Sequence, residues 1–435
     1  MSGWPQTLLD DTQRLAWLRL WRSENVGPTL FYQLIDRFGS AAAALDALPE
    51  LARRGGRRKP VRICSMANAE AEIERLQALG ARLLARGEHG YPPLLAHTMQ
   101  PPPLLALRGD ASLAMQPLAA IVGARNASAN GRLLAQQLAA GLVAEGYGIV
   151  SGLARGIDAA AHEGALAAAR AVDGPSTIAV LACGIDVPYP REHAGLMERI
   201  AGEGLLISEM PPGTGPSRQL FPRRNRLVAG MSLGVIVVEA AMRSGSLITA
   251  RLAVEEGRAV MAVPGSPLDT RAEGCNHLLR SGAVLVRHAQ DAAEALAQEA
   301  GQLKVALSEP AAAAAMPSPL QQGQSPSLPD DVIDEVMTAA PDATGETHQP
   351  RSCAPLPPCR QATAPPAADD APATDAPAAL PARLLALLGT TPVEQDILLR
   401  QVDATPEEAL AALMELELAG ELIRTPDGLL MRTRT

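Results

Sequence analysis

Aromatic residues make up only 2% of this 435-residue chain, and lysine is almost missing: of 38 cationic side chains, only Lys59 and Lys304 are lysines. With so few rings the cores must be built from Ala, Leu, Val and Ile, and an aromatic set among charges stands out. The shortage of lysine reads as codon bias. Cysteine pairing is missing too. The five cysteines (Cys64, Cys183, Cys275, Cys353, Cys359) are scattered, with no C-x-x-C and no histidine at ligand spacing, which argues against a disulfide framework or a metal site and fits a reduced cytosolic compartment. No apolar run approaches the ~18 residues of a membrane span, and the start M-S-G-W-P-Q-T-L-L-D-D lacks a charged region followed by an apolar one, so neither secretion nor membrane insertion is expected. A basic surplus is also absent. The net charge of -9 argues at first against a nucleic-acid partner.

The charge is unevenly spread. Residues 1–116 carry 14 cations against 11 acids, and residues 117–301 carry 16 against 17. Residues 302–379 carry 3 against 10, and residues 380–435 carry 5 against 9, so most of the acidity lies outside the central part of the chain. At 47% apolar content this length is too great for one core, and the composition divides it into four parts. Residues 1–85 read as a small helical domain. Its V-G-P turn at 26–28, followed by an amphipathic helix, has the form of a helix-hairpin-helix whose amides can hold a phosphate, and reads equally as a packing module. The basic stretch R-R-G-G-R-R-K-P (53–60) is either a DNA contact or a solvated surface loop.

Residues 86–301 alternate short apolar runs with helical patterns, as βαβ units and a parallel sheet require. Strands are expected at 118–123, 147–151, 177–182, 205–208, 233–239, 259–264 and 283–286, and a helix at about 130–145 carries Leu133, Leu134, Leu138 and Leu142 on one face. Residues 302–379, rich in Pro, Ala and acids without a period, read as a disordered linker, with one apolar cluster at 330–337. Residues 380–435 read as three helices and a hairpin turning at Pro426-Asp427-Gly428, a winged helix. Its third helix carries Glu407, Glu408, Glu415 and Glu417. Like charge against phosphate favours a protein-contacting wing over a DNA-reading one.

Within the central part, P-S-R-Q-L-F-P-R-R-N-R-L-V-A-G (216–230) sets Arg218, Arg223, Arg224 and Arg226 around Phe221 and Asn225 with no acid among them. Arginine forks bind phosphate oxygens in pairs, and a ring among them offers a face to an unstacked base. Two further segments form anion cradles at strand ends: Gly123-Ala124-Arg125, and Ser244-Gly245-Ser246 opening a helix with Thr249 one turn in. Arg155 sits in the glycine-flanked loop S-G-L-A-R-G (151–156), at the usual ligand edge of an open α/β sheet. Asp158 and His162, four apart on the next helix, are either an acid-base or metal pair or a hydrogen-bond lock, and without a third ligand or a nucleophile the lock is preferred. Glu239 ends a strand in a position open to catalysis, or caps Arg226 or Arg243 and shapes the site. A dinucleotide fingerprint and a P-loop are both missing, which speaks against NAD and ATP.

G-A-R at 123, S-G-L-A-R-G-I-D-x-x-A-H-x-G-A-L at 151, F-P-R-R-N-R-L-V-A-G at 221, E-A-x-x-x-S-G-S-L-I-T-A at 239, V-P-G at 263 and G-C-N-x-L-L-R-S-G-A at 274 together resemble the DprA/Smf family of DNA-processing proteins, in order over roughly residues 90–290. The resemblance implies a Rossmann-like core, flanked by helical and winged-helix modules, that binds single-stranded DNA, forms homodimers and helps load the RecA recombinase onto incoming DNA in natural transformation, with no catalysis and no cofactor. It implies that Gly123 and Arg125 hold a backbone phosphate, with Arg155 close by. Arg223, Arg224 and Arg226 extend the basic surface, and Phe221 is structural. The all-arginine basic run and the long acidic linker depart from the family's pattern. An alternative is a nucleoside-monophosphate phosphoribohydrolase with Glu239 as its acid, but R-S-G-S-L-I-T following Glu239 has the wrong order for that chemistry. A purely structural adaptor working through wing and linker is the third reading.

Overall fold

The computed structural model describes residues 9–54, 61–172, 174–308, 380–389, 391–418, 421–424 and 429–432. Four helices open the chain: α1 (Asp11–Trp21), α2 (Pro28–Phe38), α3 (Ala41–Arg54) and α4 (Met66–Ala78). Asp10 caps α1 in a reciprocal capping box with Gln13, and Gly27-Pro28 starts α2 where a missing N–H costs nothing. Their core gathers three of the chain's few rings around Phe31, with Trp17 edge-on at 5.1 Å and Trp21 at 6.2 Å.

The central part of the chain is built on one sheet: β1 (Ala81–Ala85), the short helix α5 (Pro93–Ala96), β2 (Leu104–Gly109), β3 (Leu118–Val122), α6 (Ala129–Ala144), β4 (Gly148–Ser151), α7 (Ile157–Val172), β5 (Thr177–Leu181), α8 (Ala194–Glu203), β6 (Leu205–Ser208), α9 (Leu220–Met231), β7 (Gly234–Val237), α10 (Gly245–Glu255), β8 (Ala259–Ala262), α11 (Glu273–Arg280), β9 (Val284–Leu285) and α12 (Ala289–Ser308). The nine strands lie in the order β1-β2-β6-β5-β4-β3-β7-β8-β9. From β6 to β9 all neighbours are parallel, and β3 to β7 are buried along their whole length, so each reads as an uninterrupted apolar run. β1 and β2 add an antiparallel edge. These two strands carry no βαβ signal, and β1 joins the sheet ahead of residue 86, where composition alone divides the domains.

From β3 the chain winds one way through β4, β5 and β6, then returns to the other side of β3 with β7, β8 and β9. The crossovers therefore part at the carboxyl ends of β3 and β7, leaving a crevice there. At the chain's end, helices over Leu380–Leu387, Gln395–Leu399 and Pro406–Leu418 pack against the two-stranded ribbon β10 (Leu422–Arg424) and β11 (Leu430–Arg432), completing a winged helix. Its expected turn at 426–428, residues 55–60 of the basic stretch, and residues 309–379 of the linker with its 330–337 cluster lie outside the described residues, whereas residues 302–308, expected in the linker, continue α12.

Candidate nucleic-acid interface

Each wall of the crevice follows from local sequence. After β3 the chain turns sharply at Gly123, where a Cβ would lie 2.5 Å from Ile157 and 3.0 Å from the Glu239 carbonyl oxygen. The turn leaves Arg125 exposed at the rim. After β7, Ser244 caps α10 by accepting from the Ser246 amide at 3.3 Å, so the helix start faces the crevice with Ser244, Gly245, Ser246 and Thr249. The third wall is α9 and the residues leading into it, contributing Arg218, Phe221, Arg224 and Asn225, with the Asn225 amide reaching the Gly245 carbonyl at 3.4 Å. Together they enclose about 400 Å³.

The arginine run is helical, and that divides it. Arg218 precedes α9, and at 100° per residue Arg224 cannot share a face with both Arg223 and Arg226. Arg218 lines the slot and Arg223 is exposed outside it. Arg224 is buried at the slot's floor, 3.9 Å from Asp158, with its Nη1 donating to the Val180 carbonyl at 3.4 Å and its Nε unpartnered. Burial pushes its pKa down, and Asp158 opposes that. Arg226 points the other way, paired with Glu209 and donating to the Gln100 carbonyl at 2.7 Å; Glu209 in turn accepts at its backbone carbonyl from Arg22, the residue that caps the end of α1, tying the first domain to the sheet. Arg155 lies beside the slot in a second cleft, paired with Glu192.

Asp158 and His162 form the lock. The Asp158 carboxylate accepts from the amides of Gly152 at 3.2 Å and Ala154 at 3.4 Å. The Leu153 amide donates to Nε2 of His162 at 3.3 Å, so Nδ1 carries the proton and donates to the Thr177 hydroxyl at 2.7 Å. Desolvation holds the imidazole neutral, its pKa pushed down to about 3. The lock fixes a loop in which Leu153 takes φ 58 and Gly156 φ 76, and a Cβ at Gly156 would lie 2.2 Å from the Ala124 carbonyl oxygen. The S-G-L-A-R-G loop is thereby held against the Gly123–Arg125 turn.

Glu239 has a structural contact at Ser128, and the acid paired with Arg226 is Glu209. The Glu239 carboxylate turns under the start of α6, accepting from the Ser128 amide at 2.9 Å and the Ser128 hydroxyl at 2.5 Å. A Cβ at Gly131 would lie 2.5 Å from it. A protein carboxylate therefore occupies the helix N-terminus where a dinucleotide fold holds a phosphate, and the acid is consumed in that contact. The site also contains a ring that the sequence alone did not single out. Tyr189, from D-V-P-Y-P beyond β5, is exposed with its centroid 5.7 Å from that of Phe221, and the Arg125 guanidinium lies 4.9 Å from the centroid of the same phenyl ring. Tyr189, Phe221 and Arg125 thus form an aromatic and cationic cluster at the mouth of an arginine-floored slot.

The sequence matches the family described as DNA recombination-mediator protein A over residues 82–297, a DprA-like N-terminal helix-hairpin-helix domain over 11–74 and a DprA winged-helix domain over 364–428. It is 46% identical over 201 residues to the DNA processing protein DprA of Streptococcus pneumoniae, spanning 46% of this chain and 69% of that one. To protein Smf of a Synechocystis species it is 37% identical over 286 residues, 63% of this chain and 71% of the relative. The crystal structure of the Streptococcus pneumoniae protein is similar with a TM-score of 0.53 and 35% identity, covering 65% of this chain and 97% of that one.

Proposed function

The chain belongs to the DprA/Smf family of DNA recombination mediators, and from that premise we propose that its strand-end slot binds single-stranded DNA without regard to sequence. The observation that carries this reading is the grouping of Arg125, Arg218 and Arg224 with Phe221 and the open N-terminus of α10 around one narrow crevice. Arginines and helix amides suit backbone phosphates, and rings suit the faces of unpaired bases, which a duplex keeps stacked inside. Glu239, turned into the fold, offers no general acid, so the site reads as a grip rather than a reaction centre.

The strand held here is handed to the RecA recombinase during natural transformation, and the protein works in the cytoplasm as a homodimer. No helix among the described residues is long and apolar enough to cross a membrane. Fluorescence anisotropy with labelled oligothymidylate and a matched duplex, at two salt concentrations, tests the grip. The single strand is expected to win, and Arg125→Ala with Arg218→Ala to weaken it at least tenfold while flattening the salt slope by about 0.7 for each phosphate no longer neutralised. Unchanged affinity in the double variant sinks the assignment. Handover is read from the lag before RecA begins hydrolysing ATP on the same strand, which the intact protein should shorten and the double variant should not.

A further inference from the structure

The winged helix rests against the sheet domain beside the slot. Ala129, at the start of α6, is buried in the wing's own apolar cluster, and the Gln401 amide donates to its carbonyl at 3.2 Å. Asn130 donates to the Pro392 carbonyl at 3.4 Å, and Arg271 reaches the carbonyls of Ala386 at 3.4 Å and Leu388 at 3.2 Å. Between the two domains this docking leaves a cleft of about 750 Å³. Its core side presents Arg125, Arg132 and Arg155, and its wing side Arg383 and Arg400. Two acids, Glu163 and Glu192, also line it, and Glu192 is engaged by Arg155. The balance is five guanidinium groups against two carboxylates in a chain whose overall charge is negative.

Three features point to a polyanion. Arg132 is half-buried with its Nε lacking any partner, and burial pushes its pKa down, a cost that an anion would offset. Arg400 is exposed, and no hydrogen bond or ion pair of its side chain occurs among the described residues. Arg125 stands on the wall shared by slot and cleft, so a backbone leaving one enters the other at the same guanidinium. We propose that the cleft is the continuation of the DNA path, in which Arg383 and Arg400 of the winged helix clamp the phosphates of a single strand already seated in the slot. The inference rests on the strand-binding reading of the slot. An acidic peptide would fit the charge, but not the continuity through Arg125. The wing thus contributes to the grip through Arg383 on its first helix and Arg400 at the end of its second.

The test compares the intact protein with Arg383→Ala/Arg400→Ala on oligothymidylates of about 5 and about 15 nucleotides, within the range of single-strand site sizes. The long strand is expected to bind on the order of tenfold more weakly to the variant, with the slope of log affinity against log salt reduced by about 1.4, the value for two phosphates left without a cation. The short strand, filling the slot alone, should bind both proteins equally. Arg383→Lys/Arg400→Lys should restore most of the slope, showing that the variants fold and that charge is what matters. Unchanged long-strand binding overturns the proposal, and so does an equal loss on both lengths, which would mean that the wing only shapes the slot. If Arg125→Ala fails to weaken the short strand, the reading of the slot itself is wrong and the proposal goes with it.

Discussion

A Cβ at Gly152 would lie 1.0 Å from Nη1 of Arg224, so the glycine is the space in which that guanidinium sits. Its two polar partners are buried, Asp158 at 3.9 Å and the Val180 carbonyl at 3.4 Å, beside the loop held by His162. Gly152→Ala is therefore expected to act on Arg224 rather than on the backbone, because the obstacle is the far end of a long side chain. The guanidinium should shift off Asp158, leaving a half-paired carboxylate and a slot without its cationic floor. Thermal or urea denaturation should show a loss of about 2 kcal/mol, the usual scale of core overpacking. Single-strand affinity should fall as well, with a shallower salt slope. A variant that loses stability but binds with unchanged slope would show that Arg224 is part of the scaffold and not of the grip.

At the scale of elements, the parallel strands were legible because burial on both faces removes polar residues from them altogether. The expected runs at 118–123, 177–182 and 205–208 coincide with β3, β5 and β6 to within a residue, and the helix expected at 130–145 is α6. The slot's three segments were legible for a related reason, since all lie at strand ends or helix starts, where glycine, serine and arginine have no packing role. What escaped was direction. The segment 218–226 presents itself as one basic surface, whereas Leu220, Leu227, Val228 and Met231 place it on a helix that sends Arg224 inward and Arg226 toward Glu209. Pairings across long separations escaped too, including the Glu239 carboxylate under Ser128 and the wing docked on Ala129. That docking hangs on few bonds, and Arg271 makes two of them. Arg271→Ala should cost the docked state about 2 kcal/mol, roughly thirtyfold in the docked-to-undocked ratio. Amides near residues 129–131 and 386–389 should then exchange hydrogen faster, with α6 and β3 otherwise protected. Unaltered exchange at both places would mean that Asn130, Gln401 and the apolar packing suffice to hold the wing.

For the molecule as a whole, the two ends of the sheet are finished differently. β1 buries Ala81, Leu84 and Ala85 across its two faces and packs against α4. β9 is a two-residue edge strand in which Val284 and Leu285 remain 43% and 46% exposed, with β8 as its one neighbour among the described residues. An open edge with apolar side chains offers unpaired amides and carbonyls together with a surface that water solvates poorly. A second copy meeting it across a two-fold axis would bury the same residues from both sides. It would also leave the slot free, since the slot opens at the carboxyl ends of β3 and β7 and not beyond β9. Two slots on one particle would then hold one long strand by avidity, with each slot gripping as it does alone. For the proposed homodimer, Val284→Lys with Leu285→Glu should shift the particle from dimer to monomer in light scattering. Affinity for a strand short enough to fill one slot should be unchanged, while a strand long enough to reach both slots should bind roughly ten- to a hundredfold more weakly. A dimer that persists in the variant places the interface elsewhere. Monomers that keep full affinity for the long strand would show that one slot and its adjoining cleft account for the whole grip.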